Sequence, residues 1–200
     1  MRVIGTVGLP GSGKGEAAAV AEKDGVPVVT MGDVIRAECR DRGLDPAEHH
    51  GAIARALREE NGPAAIAERS IPLIEDETAP EDAGTVLVDG LRAPVELERF
   101  RERFGDDFTL VAITAPFDLR AERLGERGRD DSDVDAEALR DREEREREFG
   151  MDEVIDAADV TIENTDSLAS FRDRVRAVLH GDAGSDADAA ATADPTGVEK

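Results

Sequence analysis

A chain of 200 residues, 40% of them hydrophobic, has room for one sizeable core and little room for two. Its formal net charge of −22, from 47 acidic against 25 basic residues, creates a field that repels nucleic acid and anionic membranes, so neither is expected as a partner. The single Cys39 excludes an intrachain disulfide and a cysteine-built zinc site, and no apolar run nears the roughly 20 residues of a membrane span. The start MRVIGTVG has no signal-peptide pattern, and the chain reads as a cytoplasmic protein.

In chain order, the β-branched run RVIGTVG (2–8) predicts a strand stopping at glycine, and EAAAVAEK (16–23) a helix ended by Asp24-Gly25. VPVVT (26–30) is a second short strand, followed by a helix over 32–43. Residues 46–75 read as two short helices broken near Asn61-Gly62-Pro63. TVLVDG (85–90) has the continuous apolar character of a strand buried on both faces. A helix over 93–105 and a buried strand over 107–116 follow. From Phe117 to about Phe149 the pattern is helical and heavily charged, interrupted by GRDDSDVD. ADVTIEN (158–164) supplies a fifth strand, and a last helix carries Leu168, Phe171, Val175 and Leu179 at helical spacing. Five strands alternating with helices predict an α/β, doubly wound parallel sheet with helices on both faces, spanning 1–180. Residues 181–200 read as a disordered acidic tail.

Ligands of such sheets bind beyond the carboxyl ends of the strands, where three motifs fall. The first is the loop Gly8, Leu9, Pro10, Gly11, Ser12, Gly13, Lys14, Gly15, between the first strand and the first helix. Its glycines let backbone N–H groups turn toward phosphates, the helix adds the positive end of its dipole, and Lys14 neutralises the β and γ phosphates. The general pattern places a serine or threonine after the lysine, whereas here Gly15 and Glu16 follow. A carboxylate in the first helical turn is favoured by the dipole, which accounts for Glu16 without a metal role. The second motif is Asp89 at the end of the third strand, and the third is Asn164 at the end of the fifth.

GLPGSGKG (8–15) resembles the loop of adenylate kinase and related nucleoside monophosphate kinases, which also place glycine after the lysine. TMGDVIRA (30–37) is similar to their segment in which Gly-Asp precedes a helix, which implies acceptor binding by Gly32, Asp33 and Arg36. VLVDG followed by Arg92 resembles their Asp-Gly strand end, which implies that Asp89 serves the magnesium shell and Arg92 the acceptor. FDLRAERLGERGRDDS resembles a short lid, over about 117–142, with acceptor-side helices over about 44–80. Arg120, Arg123 and Arg127 share a helix face there. The resemblance implies that Arg123, Arg127 and Arg142 meet the transferring phosphoryl, with Arg129 before the acid pair and Arg140 or Arg142 downstream. Arg145 and Arg147 fit a surface network with Asp141 and Glu143.

AADVTIENTDSLASFRDRV resembles the closing segment of dephospho-coenzyme A kinase, in which the position of Asn164 lies near the base and that of Asp33 serves as general base. Over 1–180 the chain is identified as a member of an archaeal family of P-loop proteins related to adenylate kinase. Its acid spread and scarcity of lysine, with only Lys14, Lys23 and Lys200, are similar to those of proteins from salt-loving archaea. The resemblance implies a kinase using ATP with Mg2+ and a small phosphorylated acceptor, most simply a nucleoside monophosphate. A dephospho-coenzyme A kinase and an ATP-binding regulatory protein remain alternatives. His49, His50 and His180 have no metal-ligand company at useful spacing and receive no role.

Overall fold

The computed structural model of the chain describes residues 1–78, 84–127 and 136–181. Five strands, β1 (Arg2–Val7), β2 (Val28–Thr30), β3 (Thr85–Asp89), β4 (Phe108–Thr114) and β5 (Val160–Glu163), pair in the order β2-β3-β1-β4-β5. Every pairing is parallel. The helices are α1 (Lys14–Lys23), α2 (Met31–Asp41), α3 (Pro46–Asn61), α4 (Ala65–Thr78), α5 (Pro94–Phe104), α6 (Phe117–Arg127), α7 (Ala136–Glu148), α8 (Met151–Asp156) and α9 (Leu168–His180).

The sheet is buried on both faces, which is why its strands read as continuous apolar runs. Val3, Val7, Val86, Val88, Leu110 and Ala112 pack on one face, with Phe100, Leu57 and Ile66. Ile4, Leu87, Val111 and Ile113 pack on the other, with Val20, Phe171 and Val175 of α1 and α9. The chain passes from one side of β1 to the other between β3 and β4. The carboxyl end of β1 is therefore the switch point at which open sheets receive ligands.

The doubly wound sheet expected from the sequence is the one observed, with local differences. The pieces expected over 46–75 are full helices, and Gly62 turns the chain between them with a φ of 92°. Leu168, expected on the apolar stripe of the last helix, is 51% exposed. It opens the first turn just after the Ser167 cap, whose side chain accepts from Ser170 N, and the buried stripe is Phe171, Val175, Val178 and Leu179. The six-residue α8 was not foreseen, being too short to carry a period. The middle of the lid segment with Arg129, and the acidic tail beyond Gly181, lie outside the described residues. None of the described helices is long and apolar enough to cross a membrane.

Phe100 is fully buried and stacks on Phe104 and Phe108 at centroid distances of 6.3 and 5.8 Å. Phe100→Ala is expected to cost about 3–5 kcal/mol, by lost transfer and a residual cavity. Denaturant unfolding at fixed KCl, with m compared between variant and parent, measures it.

Candidate active site

The loop between β1 and α1 is braced from two sides. Asn164, buried at the end of β5, donates Nδ2 to Ser12 O at 2.8 Å, and its backbone N donates to Thr114 O at 2.8 Å. On the other flank Arg120, 4% exposed, donates Nε to Ala115 O at 2.8 Å and Nη1 to Pro10 O at 3.1 Å, and it pairs with buried Glu143 of α7. With the loop carbonyls of Pro10 and Ser12 held this way, the N–H groups of Gly11, Gly13, Lys14 and Gly15 make no hydrogen bond among the described residues. Unpaired N–H groups at a helix start form a site for an anion such as a phosphate.

Lys14 and Asp89 face each other across the end of the sheet. Thr6 and Asp89 are register partners on β1 and β3, and Thr6 Oγ1 donates to Asp89 Oδ1 at 2.8 Å. Lys14 Nζ donates to Gly8 O. Burial pushes the Lys14 ammonium below the ordinary lysine value; Asp89 and Glu146 work against that shift, and Arg92 and Arg142 add to it. No group of three or more His, Cys, Asp or Glu residues gathers among the described residues. Asp89, with one oxygen oriented by Thr6, is a carboxylate that could hold a magnesium ion, which in nucleotide sites takes one or two carboxylates together with phosphate oxygens and water. Glu16 turns instead to Arg172 of α9, which donates to its Oε1 at 2.7 Å.

From Lys14 a cleft of about 720 Å³ runs between α2, α3 and the end of α7. Six arginines line it, Arg36, Arg55, Arg58, Arg92, Arg142 and Arg145, together with His50, Asp89 and Glu146. Asp33 is exposed and fixes Arg36, which donates Nε and Nη2 to Asp33 Oδ1 at 2.9 and 2.6 Å. Gly32 lines the cleft beneath them, and a Cβ there would lie 3.2 Å from Arg36 Nη1. The Arg92 backbone N donates to Glu96 Oε2 at 2.9 Å, and its Nη1 lies 3.6 Å from Glu146. His50 hydrogen-bonds the Gly32 backbone; burial, with Arg36 and Arg92 beside it, pushes its imidazole below the ordinary histidine value and so favours the neutral form.

Several residues sit otherwise than the sequence suggests. Asn164 spends its amide on Ser12 and accepts from Arg123 Nη2 through its backbone and side-chain oxygens, at 2.9 and 3.3 Å. Arg123 thus joins the loop brace and does not line the cleft. Arg120, expected on one helix face with it, is a buried strut. The ion pairs expected within α7 are not the ones formed: Glu143 holds Arg120 and Arg147 pairs with Asp152, while Arg145 lines the cleft. Arg140 stacks over the Phe117 ring at 4.7 Å, and the side chain of Arg127 lies outside the described residues. Asp33 is not among the residues lining the cleft. The cleft residues that sequence reasoning missed are His50, Arg55, Arg58 and Glu146. The helical period that separates His50 from His49 was the available signal for the first.

The loop makes opposite demands at two of its glycines. Gly13 has a φ of 121°, and a Cβ there would lie 2.5 Å from Asn164 Nδ2; a Cβ on Gly15 would meet nothing within 4 Å. Gly13→Ala is expected to abolish nucleotide binding. Gly15→Ala is expected to keep affinity within about twofold and to stabilise α1 by up to about 1 kcal/mol. Calorimetric titration with Mg-ATP and thermal unfolding read the two effects.

Comparisons with known proteins agree with the fold. A family model described as AAA domain matches residues 7–140. A UPF0200 protein of Halobacterium salinarum is 63% identical over 182 residues, covering 91% of this chain and 94% of its own length. In structure, a gluconokinase from Sinorhizobium meliloti superposes with a TM-score of 0.54 at 18% identity, covering 91% of this chain and 93% of its own. A shikimate kinase from Bacteroides thetaiotaomicron gives 0.55 at 17%, covering 90% and 97%. The chain belongs to the UPF0200 family, and its fold is that of a P-loop, kinase-like nucleotide-binding domain.

Proposed function

We propose that the chain is an ATP-dependent phosphotransferase that moves the γ-phosphoryl group to a small phosphorylated acceptor, with nucleoside monophosphates the first to test. One observation carries this reading: a single cleft runs from Lys14 and Asp89 to Arg36, Arg92 and His50 in a protein of net charge −22. Where acid dominates everywhere else, cations gathered in one cleft attract an anionic ligand locally. The gluconokinase and shikimate kinase of like fold offer a parallel for the reaction class.

In this reading the N–H groups of Gly11, Gly13, Lys14 and Gly15 bind the donor phosphates, and Leu9, Pro10 and Ser12 shape the loop. Gly8 takes the Lys14 ammonium on its carbonyl. Asp89 holds magnesium, which when bound neutralises charge on the donor phosphates. Arg36, steadied by Asp33 and backed by Gly32, grips the acceptor phosphate in the bidentate way that a planar guanidinium allows, with Arg92 beside it. Arg142 supplies positive charge to the transferring group, and Arg127, at the end of α6, does so from the lid. Arg123 and Asn164 act by holding the loop. Asp33 is a poor general base, since its carboxylate is exposed and is not among the residues lining the cleft; the dephospho-coenzyme A kinase reading that needs it there is weakened accordingly.

The direct experiment is a panel of nucleoside monophosphates and dephospho-coenzyme A with Mg-ATP at high KCl. Absence of transfer to every acceptor, by protein that binds ATP, would sink the proposal in favour of a regulatory role. Arg36→Ala is expected to lower kcat/KM for the acceptor by about 10- to 100-fold with ATP affinity kept. Asp33→Asn is expected to lose no more than about threefold, since an exposed pair contributes little. Steady-state kinetics with either substrate varied separates the two.

A further inference from the structure

Four carboxylates line the cleft: Glu59, Asp89, Glu96 and Glu146. Glu96 is spent, because it is 1% exposed, accepts from the backbone N of Arg92 and Ala93 through Oε2 at 2.9 and 3.3 Å, and takes Arg58 on Oε1 at 3.1 Å. Asp89 is oriented by Thr6 beside Lys14. Glu59 is an exposed residue of α3. Glu146 is different. Its side chain is 8% exposed, it lies beside the Arg92 and Arg142 guanidinium groups at 3.6 and 3.4 Å, and its charge reaches Lys14. Both arginine contacts use Oε1, and Oε2 has no hydrogen bond among the described residues.

A phosphate oxygen arriving as nucleophile has no proton to lose, so a nearly buried carboxylate with a free Oε2 would do nothing for it as a base. Toward a hydroxyl the same group is useful, since it can take the proton that the hydroxyl must lose. We propose that Glu146 is the general base of the reaction and that the nucleophile is a hydroxyl of the acceptor, whose own phosphate serves as the handle for Arg36 and Arg92. This rests on the phosphotransferase reading above. In the step, the hydroxyl proton passes to Glu146 and the hydroxyl oxygen bonds to the γ-phosphorus of ATP. The bond from that phosphorus to the β–γ bridging oxygen breaks, its electron pair leaving with ADP. The product is a phosphate monoester, and Glu146 returns its proton to solvent.

The test reads which bond is made. AMP and dephospho-coenzyme A each carry both a phosphate and ribose hydroxyls, and each is incubated with the full chain and Mg-ATP while 31P NMR follows the product. A new phosphate-monoester resonance is the expected result. A new phosphoanhydride resonance on the acceptor would overturn the role of Glu146 and leave the phosphotransferase reading standing. No transfer to either acceptor, or to the wider panel, would overturn both. Glu146→Gln is expected to lower kcat by about 10²- to 10⁴-fold with ATP affinity within twofold, and Glu146→Asp to recover part of that loss. A kcat within threefold of the parent in Glu146→Gln also overturns the proposal. Should that variant fail to fold, Glu146→Asp and the product linkage of the parent protein decide the matter.

Discussion

Burying the Lys14 ammonium is the constraint around which the site is arranged. A cation taken out of water is costly unless opposite charge and hydrogen bonds replace its hydration. Here the Gly8 carbonyl, Asp89 and Glu146 provide that replacement. Asp89 comes from the strand next to β1 and is fixed by a hydroxyl of β1 itself, so the lysine and its nearest counter-charge are set by sheet register. Glu146 comes from α7, far along the chain. Its position ties the helix after the lid segment to the electrostatics of the phosphate loop.

The braces on the loop follow the same logic. Asn164 holds Ser12 from the end of β5, and Arg120 holds Pro10 from α6, itself paired with Glu143 of α7. A buried guanidinium that lost this carboxylate would be left with an uncompensated charge, so removing Glu143 alone would be strongly destabilising as well as freeing Arg120 to move. Glu143 and Glu146 lie three residues apart on one face of α7, where the first secures the loop backbone and the second enters the cleft. The helix therefore couples the shape of the loop to the charge of the cleft.

That helix also shows where sequence reading stops. The fold was legible because five apolar runs alternate with helical patterns, and the loop because its glycines and lysine follow a strand. The termini of β1, β3 and β5 were legible as well, since parallel strands must bring Lys14, Asp89 and Asn164 to one edge. In α7 the inward face is Leu139, Glu143 and Glu146. Two acids and one leucine give a hydropathy scan no apolar stripe to find, and in so acidic a chain a buried glutamate looks like any surface glutamate. Arg120 was hidden for the mirror reason: its spacing with Arg123 suggested a shared exposed face, while the partners that bury it are 110 and 23 residues away. Long-range ionic burial leaves no local period.

The same acid excess explains why the cations of the cleft can be recognised in the structure. Most described arginines elsewhere are engaged, by carboxylates as in Arg42 with Glu38 and Glu60, or by carbonyls as in Arg2 with Val178 and Leu179. Such pairs near the surface contribute little stability and are screened by salt. Their effect is to consume positive charge where it has no ligand to meet. Arg55 and Arg145 line the cleft without a polar partner among the described residues, whereas Arg36 is held by a single exposed aspartate. Six arginines gathered in one cleft, four sharing carboxylates and two with none among the described residues, leave an excess of positive charge there that can draw an anion to one place on an acidic surface, and the free oxygen of Glu146 faces that anion.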